Sequence, residues 1–450
     1  MNDQVTDDEL DAFALMTRRL RALPLGDARR MKGESIAASF ARESRNLRRK
    51  AARRARSQAD AALAAGTATG ALDRREDAPL VAVAPGRDVG HYERPRHCYV
   101  CKALYRQVDN FYHRLCPPCA ADNTARRSLS TDLRGRRVLL TGGRVKIGFQ
   151  LALMMLRDGA ELLVTSRFPD DTLRRFGAVP GSREWLDRLT VVAVDLRDPR
   201  QVLGLCERLR DMGEPLDVLV NNAAQTIRRQ PEAYAVLAAG ESGAAGPGVL
   251  MAPGYAPMAA VGAPDGALSL VLPDAQAHPA DETGLLPDLA PENSWSARLG
   301  GLDPAELLET QLVNALAPAL LADRLLPLLL ASPRPRRYIV NVTAVEGRFA
   351  VRNKTARHPH TNMAKAALNM LTRTSAAQLA AEGVHMCSVD TGWITDENPA
   401  PRKARIAAFG TRTPLDVVDG AARIYDPIVR GEAGDPVAGV FLKDYQEAAW

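Results

Sequence analysis

The segment Val138-Leu139-Leu140-Thr141-Gly142-Gly143-Arg144-Val145-Lys146-Ile147-Gly148 constrains this chain more than any other. An apolar run ends in a glycine pair and helix-forming residues follow at once, which reads as strand, tight turn and helix. Glycines let the backbone turn sharply and approach a pyrophosphate, whose charge suits the positive end of the helix. From Leu133 onward, strand-like apolar runs alternate with amphipathic helices, the pattern of a parallel α/β sheet. Strands are predicted at 137–141, 161–165, 189–195, 218–221, 338–342, 385–390 and 439–442. Between Gln225 and Asp303 the alternation gives way to Gly, Pro, Ala and acidic residues, too long for an ordinary connection and read as either an inserted lid or a partly disordered stretch.

Further motifs follow in order. Thr141-Gly142-x-x-x-Lys146-Ile147-Gly148 resembles the TGxxxGIG turn of the short-chain dehydrogenase/reductase family, and Asn221-Asn222-Ala223-Ala224 resembles its NNAG motif. Asp195-Leu196 matches the acidic position after the third strand, Asn314 the helix asparagine, and Lys365 the catalytic lysine. Gly392 and Thr395 resemble the PGxxxT turn beside the nicotinamide, with Thr391 in the proline's place and the threonine one residue early. The resemblance spans roughly residues 135–450 and implies a doubly wound Rossmann sheet. It also implies that Gly142, Arg144, Lys146, Ile147, Gly148, Ser166, Arg167, Asp195, Leu196, Asn221, Ala223, Lys365 and Thr395 bind a dinucleotide. Charge selects which one. The second strand runs into Ser166-Arg167 with no acid before Asp170, and Arg144 and Lys146 add two cations, so a 2′-phosphate is favoured over a ribose diol and NADP(H) over NAD(H).

The catalytic set departs from the family. Its tyrosine, four residues before the lysine, is replaced by Thr361, and its serine by Ala344 with Thr343 adjacent. A threonine hydroxyl is too weak an acid to serve near neutral pH. Asn314 and Lys365 are the surviving framework, with Thr361, Thr343 and His360 as candidate partners. His358 or His360, or a desolvated Glu346 or Lys365, are the alternative acids; a chain with none of them acting would be a nucleotide-binding pseudoenzyme. Trp393 is read either as a ring over the substrate or as core packing. The stretch from His358 to Ala367 resembles a divergent branch of the family that joins a cysteine-rich module to the reductase-like fold.

Such a module is present. Of six cysteines, Cys98, Cys101, Cys116 and Cys119 form two CxxC knuckles fourteen residues apart, a spacing that suits a closed, structural, tetrahedral Zn²⁺ site. His97 and His113 are spare candidates, and Cys206 and Cys387 stand alone in a helix and a strand. Ahead of the module the chain divides into a helical arm at 1–66, basic from Arg42 to Arg56, and a Gly/Pro-rich linker at 67–92 with one short strand at Leu80–Val83. The module is placed at 93–128 and the sheet domain at 133–450. The arm opens on a capping box at Thr6 and Glu9 and reads as a solvated face or as a contact for nucleic acid or an acidic partner. An acidic start and the absence of eighteen consecutive apolar residues predict a cytoplasmic protein without a membrane span. The expected function is NADP(H)-dependent oxidation or reduction of a small organic substrate by a homo-oligomer. The rival is a catalytically defective NADP(H)-binding scaffold that contacts a macromolecule through its module and arm.

Overall fold

The computed structural model describes residues 4–75, 77–83, 89–243, 246–258, 280–351, 353–408 and 411–450. The chain divides into two compact units, one holding Met1–Leu63 with Tyr92–Arg94, the other Ala64–His91 with Pro95–Trp450.

The first unit is two helices, α1 (Asp7–Arg21) and α2 (Ala28–Ala65, whose last two residues fall in the second unit). The predicted capping box opens α1, with the Thr6 and Glu9 side chains each bonded to the other's backbone N–H. Asp7, Asp8 and Glu9 in the first turn and Arg18, Arg19 and Arg21 in the last complement the helix dipole. Arg30 Nη1 then takes up the Arg21 and Leu23 carbonyls at 3.1 and 2.7 Å. At Gly33 any Cβ would stand 2.6 Å from Leu20 Cδ1, so a glycine lets α1 approach α2 there.

The second unit carries a hairpin of β1 (His91–His97, of which Tyr92–Arg94 fall in the first unit) and β2 (Leu104–Gln107), followed by α3 (Pro117–Arg126). The α/β alternation then runs β3 (Arg137–Thr141), α4 (Lys146–Arg157), β4 (Glu161–Ser166), α5 (Pro169–Gly177), β5 (Leu189–Ala193), α6 (Pro199–Met212) and β6 (Val218–Asn221). After it come α7 (Ala235–Ala239), β7 (Val249–Met251), α8 (Pro304–Gln311), α9 (Ala317–Ala331), β8 (Arg337–Thr343), α10 (Pro359–Ala381) and β9 (Val384–Asp390). The chain closes with α11 (Ala400–Ala408), α12 (Val417–Glu432), β10 (Phe441–Lys443) and β11 (Gln446–Ala448).

Among the described residues, nine strands form one sheet in the order β11-β10-β9-β8-β6-β3-β4-β5-β7, parallel throughout except for β11. Parallel strands covered on both faces are apolar on both, and two separate cores result. Leu140, Val164 and Val220 face α4 and α12 on one side. Leu139, Leu219 and Ile339 face α6 and α9 on the other.

Two sequence expectations change. No strand forms at Leu80–Val83: the Leu80 N–H donates to Asp416 Oδ2 (2.8 Å) and its carbonyl accepts from Arg127 Nη2 (3.2 Å), so side chains take the groups a ladder would need. The segment read as a lid contributes β7, which extends the sheet in parallel beside β5; residues 244–245 and 259–279 of that segment lie outside the described residues. Helices α8 and α9 are joined by a π-helical turn, Leu312–Leu316. Pro304–Ala331 is long and apolar enough by composition to cross a membrane, although half of its most apolar window is buried against the rest of the fold.

Candidate functional site

A cleft of about 400 Å³ opens at the carboxyl ends of β3, β4, β5 and β6, the position at which doubly wound sheets bind ligands. Its floor is the glycine turn. Gly142 has φ +72°, and a Cβ on it would stand 2.9 Å from Ala223 Cα; on Gly148 a Cβ would stand 2.1 Å from the Gly142 carbonyl oxygen. Val145, the N-cap of α4, makes no side-chain bond, which leaves the first N–H groups of the helix without a side-chain cap beside the cleft. Asn222 fixes the turn: its Nδ2 donates to the Thr141 and Gly142 carbonyls at 3.0 Å each. Thr141 Oγ1 accepts from Asn222 N and Ala223 N, also at 3.0 Å. Asn221, the predicted ligand, instead points inward. Its Nδ2 donates to Asn341 Oδ1 (2.8 Å), at the head of a buried chain that continues to Thr372 and Ser388.

The three cations read from sequence differ in their engagement. Arg144 is held by Asp171 (2.6 Å), which also takes Arg174 and Arg175. Lys146, in the left-handed region at φ +55°, is paired with Asp77 (3.2 Å) and lies 3.7 Å from Glu397. Burial opposes the Lys146 charge, yet Glu397 and Asp77 outweigh it and raise the ammonium to about 12. Arg167 lies beside the Phe168 and Tyr234 rings at 5.7 and 5.1 Å, and its buried Nη1 has no hydrogen-bond partner among the described residues. Opposite it, burial works against ionisation of Asp195, but hydrogen bonds from Arg197 (2.6 Å at Nη2) hold its carboxyl below the usual range. Ile147, Leu196 and Ala223 supply apolar lining. Ser166 lines the same lip, its Oγ bonded by Phe168 N and Thr172 Oγ1. Thr395 is on the far wall and donates to Glu397 (2.9 Å). A second cavity of about 410 Å³ adjoins the first, sharing Asp77, Arg229, Asp281 and Lys403 with it.

The residues at the family's catalytic positions lie deeper. Lys365 Nζ donates to the Val342 carbonyl (2.8 Å), and burial lowers the ammonium to about 8. Asn314, in the π turn, binds the backbone of Gln225 with both ends of its amide, at 2.7 and 2.9 Å. Thr361 is buried with Oγ1 unpartnered among the described residues, and Thr343 Oγ1 points to the Lys365 carbonyl at 3.4 Å. His360 is fully buried with neither ring nitrogen bonded among the described residues, and burial favours its neutral form. His358 stacks on Trp295 with ring centroids 4.1 Å apart. Burial raises the Glu346 carboxyl above its usual range, with Asp390 adding to the effect.

The four module cysteines converge. All four Sγ atoms lie within 4.8 Å of one another, and Cys101 and Cys116 are 3.6 Å apart. Thiolates about 2.3 Å from a tetrahedral ion are separated by roughly 3.8 Å, so the cluster fits such an ion with its shell filled by sulfur. The spare histidines are engaged elsewhere: His97 with the Lys102 carbonyl (2.8 Å) and His113 with Thr69 Oγ1 (2.7 Å), where burial takes His113 down to about 3. Cys206 and Cys387 are buried in α6 and β9. The module, read as a separate piece of sequence, packs on α12 within the second unit. Tyr112 Oη donates to Asp419 (2.6 Å), Arg127 bridges Asp416 (2.6 Å) and Asp419 (3.0 Å), and Arg423 reaches Asn123 (2.8 Å).

The short chain dehydrogenase family matches residues 136–236, and the Enoyl-(Acyl carrier protein) reductase family matches residues 289–418. An uncharacterized protein of Acanthamoeba polyphaga mimivirus is 30% identical over 347 residues, covering 74% of this chain and 71% of the relative. The C-signal protein of Myxococcus xanthus is 31% identical over 126 residues, 28% of this chain and 74% of that protein. Among solved structures, NADPH-bound carbonyl reductase from chicken fatty liver superposes with a TM-score of 0.44 at 17% identity, covering 71% of this chain and all (100%) of the other. The ordered motifs, the parallel sheet and the two family matches make this chain a member of the short-chain dehydrogenase/reductase family, in a divergent form that has a four-cysteine module and lacks the usual catalytic tyrosine and serine.

Proposed function

We propose that the chain binds NADP(H) in the cleft and uses it to oxidise or reduce a small organic substrate held in the adjoining cavity. The observation that carries this is Arg167, a half-buried arginine at the lip after β4 whose buried Nη1 is unpaired among the described residues, opposite an Asp195 already neutralised by Arg197. A 2′-phosphate supplies the missing acceptor, and a guanidinium pairs with phosphate more strongly than with a neutral hydroxyl. The test is a fluorescence titration with NADPH and NADH. Arg167→Ala should weaken NADPH binding about 10-fold and leave NADH binding unchanged; equal affinities for both cofactors in the wild type would defeat the reading.

One observation favours a second reading, a non-catalytic NADP(H)-binding scaffold. The lysine's ammonium is bonded to a main-chain carbonyl, and a threonine stands at the tyrosine position. Protein that binds NADPH but consumes none across a panel of carbonyl compounds supports the scaffold. Turnover abolished by Lys365→Ala or His360→Ala supports the enzyme. In either reading the thiolate cluster holds a structural Zn²⁺, the protein works in the cytoplasm as a homo-oligomer, and the basic arm is its contact for nucleic acid or an acidic protein. Salt-dependent binding lost with residues 29–60 tests that contact.

A further inference from the structure

The four-cysteine module touches the loop that forms the far wall of the cleft. Tyr99 lies between the first two cysteines and Arg114 two residues before the third, and the Tyr99 N–H donates to the Arg114 carbonyl (2.8 Å), tying one knuckle to the other. Both side chains reach the turn after β9. Tyr99 Oη accepts the Trp393 N–H at 2.8 Å, and the Arg114 guanidinium lies 5.2 Å over the Trp393 indole. Lys443 Nζ, 5.4 Å from the Tyr99 ring, pairs with Asp390 (3.3 Å), whose Oδ1 accepts the Gly392 N–H (2.8 Å). Gly392 itself has φ +86°, and a Cβ there would stand 3.4 Å from Tyr99 Oη. The turn is therefore held on the module side by one hydrogen bond, to the Tyr99 hydroxyl, and by the Arg114 cation over the indole.

This contact leads into the cleft. Ile394 is buried, and a Cβ on Gly420 of α12 would stand 2.3 Å from Ile394 Cδ1 and 3.1 Å from Ile147 Cδ1, so the turn is wedged against the start of α4. One and three residues beyond Ile394, Thr395 and Glu397 line the cleft. The adenosine side is built elsewhere, by Arg167, Asp195 and Leu196 after β4 and β5, on the other side of β3 in the strand order. A dinucleotide laid across the carboxyl ends of the strands places its other half against the wall after β9.

We infer that Tyr99 is a positioning residue for the nicotinamide half of the cofactor, so that the cysteine module forms part of the cofactor site as well as bracing the fold. The inference rests on the NADP(H) reading above. The test compares the full-length wild type with Tyr99→Phe, using NADPH and adenosine 2′,5′-bisphosphate as probes, the second carrying the adenosine half alone. Metal content is measured in both proteins, and hydrogen exchange is followed at the Trp393 amide. Tyr99→Phe is expected to keep its metal, to exchange Trp393 faster, and to bind NADPH about 5-fold more weakly, the worth of one hydrogen bond. Its affinity for the bisphosphate should equal that of the wild type. Arg114→Met, which leaves the hydroxyl in place and strips the cation from the indole, should lower NADPH affinity with the same selectivity and serves if the first variant does not fold. Unchanged NADPH affinity in a folded variant, or equal loss for both probes, overturns the inference. A wild type that binds neither probe overturns the cofactor reading, and the inference falls with it.

Discussion

Lys365, at the position of the family's catalytic lysine, carries a charge that its surroundings oppose. Buried beneath the cleft and bonded to the Val342 carbonyl, its ammonium titrates at about 8 instead of near 10.5. Between those values the unfolded chain binds a proton that the folded chain lacks, so the contribution of Lys365 to stability rises with pH through that window. Below it, keeping the charge buried costs about 3 kcal/mol. In urea titrations from pH 7 to pH 10, the difference between Lys365→Met and the wild type should favour the variant at pH 7 and shrink as pH rises. A difference independent of pH would place the ammonium in water. Other residues were partly legible. The doublet Asn221-Asn222 marks the end of a strand, but sequence does not say which member turns toward the glycine loop; the structure gives that role to Asn222. Asp77 and Tyr99 sit in stretches read as linker and metal knuckle, and only tertiary packing brings them to Lys146 and Trp393.

At the scale of elements, the parallel strands were readable because burial on both faces makes each an apolar run bounded by turn residues. β7 escapes the pattern because three residues at the edge of the sheet carry too little of it, and at Leu80–Val83 side chains bond the Leu80 backbone while Val81 and Val83 stay exposed. The join between α3 and α12 was invisible in sequence, since it consists of charges distant along the chain. Arg127 is the only described side chain forming ion pairs with both Asp416 and Asp419, two carboxylates with no exposed side-chain surface. Burial and the neighbouring Asp416 raise Asp419 to about 6 even with Arg127 present. Arg127→Met leaves two buried acids uncompensated and should cost about 3–5 kcal/mol in urea unfolding. A loss below about 1 kcal/mol would mean that the pair is solvated.

For the whole molecule, the division into units predicts how the chain melts. The cysteine module contains too few residues to build a core of its own and is bound to α12 through Tyr112, Arg127 and Asn123, so it belongs to the cooperative unit of the sheet. The helical arm is a compact unit of its own, with no buried residue in α1 and with Leu10, Phe13 and Met16 exposed. A bound tetrahedral ion contributes several kcal/mol to whatever folds with it. Removing the ion by chelation, or by Cys116→Ser, should therefore lower the main calorimetric transition by more than about 5 °C as a single peak, without producing a separate early melt. Deleting residues 1–57 should leave that transition within about 2 °C of the full-length value. An early, metal-dependent peak beside an unshifted main one would show that the module folds apart from the sheet, and the loop it grips after β9 would then be independent of the metal.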